Sequence, residues 1–215
     1  HAEKLNEYRF GRIHFVSELG TDLTVGLADR HIWCGGGELA QNGTYFDPNI
    51  PTEEVFCMPH NRRIDGVVYA SKPLSVRGTL ITDFWFRFQE GRIVDFGAGE
   101  GQETLANILS FDEGSRSLGE VALVPYDSPV SASGILFYNT LYDENAACHF
   151  AFGEAYPACV QGGNDLSVEE LAARGINAES NTHVDFMVGS RDLSIIGKTK
   201  DGREIPVFVN GNFAI

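Results

Sequence analysis

The sequence predicts an α+β fold in which strands dominate and pair mainly antiparallel. Short β-branched and aromatic runs closed by Gly, Asp, Asn or Pro recur along the chain, two tight-turn signals stand out, and helical character is confined to a few stretches. Taken in order, residues 12–17 (RIHFVS), 22–27 (DLTVGL), 65–71 (DGVVYAS) and 83–88 (DFWFRF) read as strands. Gln89-Glu90-Gly91-Arg92 and Lys200-Asp201-Gly202-Arg203 read as hairpin connections, the second through its Asp-Gly pair. Helical patterns cover 101–111 (GQETLANILSF), the stretch around 134–147, and 167–174, where Ser167-Val168-Glu169-Glu170 is a capping box closed by Gly175. No internal repeat divides the chain and its glycines are spread rather than gathered in a linker, so 1–215 is expected to form one domain. The first 30 residues look like the end of a linker followed by a hairpin, and His1 stands without an initiator Met, which together suggest a start within a longer protein.

With 215 residues, 43% of them hydrophobic, the chain has enough apolar surface for a proper core. No apolar run approaches the roughly 20 residues of a membrane span, and the opening HAEKLNEYRF is too polar for a signal peptide, so a soluble, cytoplasmic protein is expected. A formal charge of −14 repels phosphates and anionic lipid surfaces, which argues against nucleic acid and membrane partners. Most of this acidity serves solubility; the remainder suits a cationic substrate or a divalent metal. Cys34, Cys57, Cys148 and Cys159 form no C-x-x-C motif and are expected as reduced thiols.

The candidate chemistry lies in acidic and imidazole side chains. In 181–188 (NTHVDFMV), polar and apolar residues alternate, so His183 and Asp185 project from one strand face about 7 Å apart, near enough to serve one metal pair. A half-exposed strand with a solvated His and Asp accounts for the same pattern. His149 follows the acidic stretch Tyr142-Asp143-Glu144 and sits between Cys148 and Phe150; it reads either as a helix-terminal histidine or as a buried one in need of a partner. Glu120 in GEVALVP and Glu54 in PTEEVF are lone carboxylates in apolar company, a pattern that more often faces solvent than a site. Oxygen and imidazole donors without thiolate suit zinc, cobalt, manganese or magnesium in an open catalytic site. The glycine clusters at 35–37 and 97–101 lack the lysine context of a phosphate loop and read as turns near the site. His14, His31 and His60 read as structural or exposed.

Four segments taken together, Asn49-Ile50-Pro51-Thr52-Glu53-Glu54-Val55-Phe56, GEVALVP, YDENAACHFAFGEAY and NTHVDFMVGS, resemble the aminopeptidase T and aminopeptidase S (PepS) family of cytoplasmic bacterial metallopeptidases. The likeness runs in order from Asp22-Leu23-Thr24-Val25 to Asn210-Gly211-Asn212. The resemblance implies that Glu54, Glu120, Glu144, His149, His183 and Asp185 occupy metal-ligand positions for two divalent ions, with Glu120 bridging. It also implies a reaction-supporting role for Tyr156. Glu53 is the natural candidate for general base, although on a strand it points away from its neighbour Glu54. The expected activity is release of N-terminal amino acids from peptides, by a homodimer of which 1–215 is the C-terminal catalytic domain and from which an N-terminal domain is missing. The same ligands would permit an amidase or esterase acting on non-peptide substrates, and a metal-stabilised dimerisation domain is the non-enzymatic alternative.

Overall fold

A computed structural model describes residues 1–47, 50 and 52–215 of the chain. Asn49 and Pro51 of the first resemblance segment lie outside the described residues. Helix α1 (Ala2–Tyr8) leads into the hairpin β1 (Phe10–Val16) and β2 (Asp22–Leu27), followed by the short strands β3 (Cys34–Gly35), β4 (Glu38–Leu39) and β5 (Tyr45–Phe46). Next come β6 (Val55–Cys57), β7 (Pro59–Tyr69), β8 (Leu74–Val76), β9 (Thr79–Ile81), β10 (Trp85–Gln89) and β11 (Arg92–Gly97). The remainder is α2 (Gln102–Leu109), β12 (Leu118–Leu123), α3 (Pro129–Ala132), α4 (Thr140–Asp143), β13 (His149–Gly153), α5 (Val168–Ala173), β14 (His183–Met187), β15 (Ser194–Thr199), β16 (Glu204–Val209) and β17 (Asn212–Phe213).

The strands form an eight-stranded sheet in the order β11-β10-β7-β2-β1-β15-β16-β17 and a five-stranded sheet in the order β14-β13-β12-β6-β3, with β4-β5 and β8-β9 as separate ribbons. Among the described residues every strand pairing is antiparallel, as the hairpin signals predict. The chain crosses from the small sheet to the large one at Met58, between β6 and β7. An aromatic layer fills the space between the sheets. Phe15 of β1 meets Phe150 of β13 edge to face at 4.9 Å, and Phe86 of β10 meets Phe186 of β14 at 5.0 Å and Phe152 at 5.9 Å. All five rings are fully buried, and such pairs add about 0.5–1.5 kcal/mol each beyond the area they hide.

Both predicted hairpins form, as β10–β11 and β15–β16. The capping box of α5 is complete, the Ser167 hydroxyl accepting from the Glu170 N–H and the Glu170 carboxylate from the Ser167 N–H. Two expectations need adjusting. The 134–147 stretch is helical only over α4 and a 3₁₀ turn at Glu144–Ala146. The presumed linker at the start contains α1, a seven-residue helix whose single buried anchor, Leu5, offers no periodicity to read. Tertiary packing organises it instead: Asn6 exchanges two hydrogen bonds with the main chain of Trp33, and the His1 ring stacks on Phe213.

Candidate metal centre

The small sheet has two chemically opposite faces because successive side chains alternate across it. On β14, Val184 and Phe186 pack against the core while His183 and Asp185 line a cavity; on β13, Phe150 and Phe152 are core while His149 lines that cavity. On β6, Val55 and Cys57 are core, and Phe56, with Glu54 just before the strand, faces the cavity. Register finishes the arrangement. Glu120 pairs with Ala151, and Ala151 with Asp185, so a methyl group on β13 separates two carboxylates on the strands to either side, β12 and β14, and leaves space above the central strand. Gly153 ends β13 with φ 104°, and a side chain there would run into the Thr182 carbonyl, so glycine is what lets the first turn of β14 approach.

The resulting cavity has a volume of about 1050 Å³ and is lined by all six expected ligands and by Tyr156. His149 Nε2 lies 3.4 Å from Glu54 Oε1 and 3.8 Å from Glu120 Oε1. His183 Nε2 lies 3.4 Å from Glu120 Oε2 and 3.3 Å from Asp185 Oδ1. Two donor groups result, Glu54–Glu120–His149 and Glu120–His183–Asp185, each with its ligand atoms within 4.8 Å of one another, and Glu120 belongs to both. Glu144 enters from the 3₁₀ turn after α4 and shares a hydrogen bond with Asp185. Its segment is tied to that of Glu54, since the Thr52 hydroxyl donates to Asn145 Oδ1 at 2.7 Å and Asn145 Nδ2 donates to the Leu141 carbonyl.

The donor set fits divalent cations. Each histidine donates from Nδ1 to a backbone carbonyl, His149 to Ala147 at 3.0 Å and His183 to Glu154 at 2.8 Å, which fixes the ring and turns Nε2 toward the carboxylates. This is the orientation that ligating imidazoles take. Five carboxylates, Glu38 and the four acidic candidate ligands, share the cavity with two imidazoles, and among the described residues lining it there is no Lys or Arg. The electrostatics carry the mark of that imbalance. Burial, and then repulsion from Asp185, push Glu144 up to about 8. Burial likewise raises Glu120. Burial acts to lower His149, but the Glu54 hydrogen bond overrides it and lifts the ring to about 10. His183 is lifted to about 12 in the same way, against its burial, by Asp185 and Glu120.

A hydrogen-bonded brace stands behind β14. Asp112 accepts from the Ser115 N–H at 2.8 Å, the Ser180 hydroxyl at 2.9 Å and the Asn181 N–H at 2.7 Å, and Ser115 Oγ lies 3.0 Å from Thr182 Oγ1. Residues 180–182 are thereby pinned directly before His183. No motif in the sequence marks Asp112, because its partners are 3 to 69 positions away.

Tyr156 is half exposed, its ring centroid 5.0 Å from that of His183 and 6.4 Å from that of Phe56. Glu53 is exposed and lies outside the cavity lining. The glycines at 35–37 line the cavity, whereas those at 97–101 lie at the end of β11 and the start of α2, away from it. His14, His31 and His60 are also outside the lining.

Comparison with known proteins places the whole chain in one family. The chain is 54% identical to aminopeptidase 2 of Geobacillus stearothermophilus and 51% identical to aminopeptidase AmpS of Bacillus subtilis, in each case over 213 residues, which are 99% of this chain and 51% and 52% of those proteins. It superimposes on wild-type AmpT from Thermus thermophilus with a TM-score of 0.92 at 44% identity, covering 100% of this chain and 52% of that one. The chain therefore spans about half the length of the curated relatives it matches. The thermophilic metalloprotease (M29) model matches residues 1–213, and the chain belongs to that family.

Proposed function

We propose that this chain carries the catalytic metal centre of an aminopeptidase that releases N-terminal residues from peptides, and that 1–215 corresponds to the C-terminal catalytic domain of a longer enzyme. The observation that carries this reading is the pair of donor groups sharing Glu120 in a cavity with no lining Lys or Arg among the described residues. We assign Glu54, Glu120, Glu144, His149, His183 and Asp185 as ligands of two divalent ions, zinc in the first place and cobalt, manganese or magnesium as alternatives, with Glu120 as the bridge. Such ions would supply Lewis acidity, acidifying a water and polarising a peptide carbonyl.

The remaining steps belong to the chain's own side chains. The cavity carboxylates attract the α-ammonium of a peptide N-terminus and repel a C-terminal carboxylate, which favours trimming from the amino end. The apolar wall residues Leu39, Ile50, Val76 and Leu141 offer contact to the side chain being released. Burial raises the Tyr156 phenol, so it stays protonated near neutrality and donates to the oxyanion that develops at the carbonyl. Glu53, exposed and outside the lining, has no step in this reading. A homodimer in the cytoplasm is part of the proposal; no helix among the described residues is long and apolar enough to cross a membrane.

The test is a pair of zinc-loaded assays on a leucyl anilide and its N-acetyl derivative. Cleavage confined to the free amine supports an aminopeptidase; equal cleavage of both would favour an amidase or esterase, and failure to bind any divalent ion would favour a non-catalytic domain.

A further inference from the structure

The wall of the cavity opposite β14 carries two thiols for which the proposed hydrolysis has no use. Cys34 in β3 is partly buried and Cys159, at the end of the 3₁₀ turn Pro157–Cys159, is fully buried; both line the cavity. Their thiols lie near enough to perturb one another's ionisation, and Cys34 Sγ lies 3.8 Å from the Ile32 carbonyl. Main-chain pairing holds them there from both sides. The Ile32 N–H donates to the Cys159 carbonyl at 2.7 Å, His31 and Val160 form an antiparallel bridge, and Cys34 itself pairs with Phe56 of β6. Two thiols from segments more than a hundred residues apart are thus held in contact where small molecules enter.

We infer that Cys34 and Cys159 are a reversible oxidation site that closes to a disulfide when the protein meets hydrogen peroxide. Cys34 is the attacking sulfur. It is the more accessible of the two, and the neighbouring Cys159 thiol lowers its pKa, while the Cys34 thiol and burial raise that of Cys159. The Cys34 sulfur attacks one peroxide oxygen and the O–O bond breaks. Cys34 becomes a sulfenic acid, and the departing hydroxide takes up the thiol proton as water. The Cys159 sulfur then attacks the Cys34 sulfur; the S–O bond breaks, the S–S bond forms, and hydroxide leaves with the Cys159 proton as a second water. Together the two sulfurs give up the two electrons that reduce one peroxide. Cys57 and Cys148 are buried in the core, and burial raises both thiols, so they stay out of this reaction.

The bond would join β3, the neighbour of the strand that follows Glu54, to the turn that follows Tyr156, tying together two parts of the cavity wall. Its formation does not depend on the aminopeptidase reading, so the two fail separately. The experiment is peroxide treatment of the zinc-loaded chain, alkylation of remaining thiols, and peptide mass spectrometry without reduction. The expected product is a linked pair of peptides containing Cys34 and Cys159, lighter than the sum of its parts by two hydrogens, and lost on treatment with a phosphine. Cys34→Ser should abolish the link and leave Cys159 alkylatable after unfolding, and a melting curve matching that of the wild type shows that this variant folds. Oxidation of Cys34 to sulfinic acid beside an intact Cys159 thiol, a disulfide between two chains, a link to Cys57, or four unmodified thiols would each overturn the inference.

Discussion

The two faces of the five-stranded sheet are separated by one backbone thickness and solve opposite problems. Toward the large sheet, Phe150, Phe152 and Phe186 interlock with Phe15 and Phe86, and stability there comes from close packing. Toward the cavity, Glu120, His149 and Asp185 are nearly as hidden from solvent and His183 is partly so, and the charges they carry there cost free energy to desolvate. One face holds the other in place. The apolar layer supplies the free energy with which like charges are kept together, and substitutions on the two faces should therefore fail in different ways.

The largest effect is expected on the packed face. Phe186→Ala removes a fully buried ring that contacts four other phenylalanines, Phe84, Phe86, Phe150 and Phe152, and should cost about 3–5 kcal/mol of stability, read as a lowered denaturation midpoint. On the cavity face, Tyr156→Phe should leave the melting temperature unchanged and lower kcat by about a hundredfold or more, with metal content retained, as loss of an oxyanion donor does. Asp112→Asn, behind the site, should weaken zinc affinity by about tenfold to a hundredfold with a small change in stability, because its partners order the residues before His183. An unaltered zinc affinity would make that brace purely structural.

The pH dependence of the metal-free chain sharpens the contrast further. Glu144 is raised from 4.5 to about 8 and His149 from 6.5 to about 10, so the folded state binds protons more tightly than the unfolded one at both groups. Their contribution is then fully present below the unfolded values, and is lost as pH rises, through about 8 for Glu144 and about 10 for His149. Melting of the metal-free chain should fall between pH 5 and 10, and the stabilisation by added zinc should grow over the same range as the ion replaces protons. A flat profile would mean that the cavity charges are not coupled as described.

How much of this was legible in the sequence follows from which contacts are local. The alternation of 183–188 directly marks two faces of β14, and the Asp-Gly pair at 201–202 marks the β15–β16 turn, because both signals need only neighbouring residues. Glu120 and Glu54 carry no such signal. A lone carboxylate in an apolar strand looks the same whether it faces solvent or a site, and only the pairing of β12 with β13 and β6 brings these two toward His149. The ordered resemblance along the chain named them; spacing did not. Asp112, the Ala151 gap and the contact of Cys34 with Cys159 depend entirely on tertiary register, and nothing in their flanking residues announces them. The seven-residue helix α1 was missed because its order comes from Trp33 and Phe213, far along the chain.

The central claim is that the cavity face holds two ions through a shared Glu120. Zinc titration of the metal-stripped chain by calorimetry, with elemental analysis of the product, tests it most directly beside His183→Ala and Asp185→Ala. The account predicts two zinc ions per wild-type chain and at least one site emptied in each variant, with the circular dichroism of the fold retained. Full metal occupancy in both variants, or a wild-type chain that takes up no zinc, would contradict it.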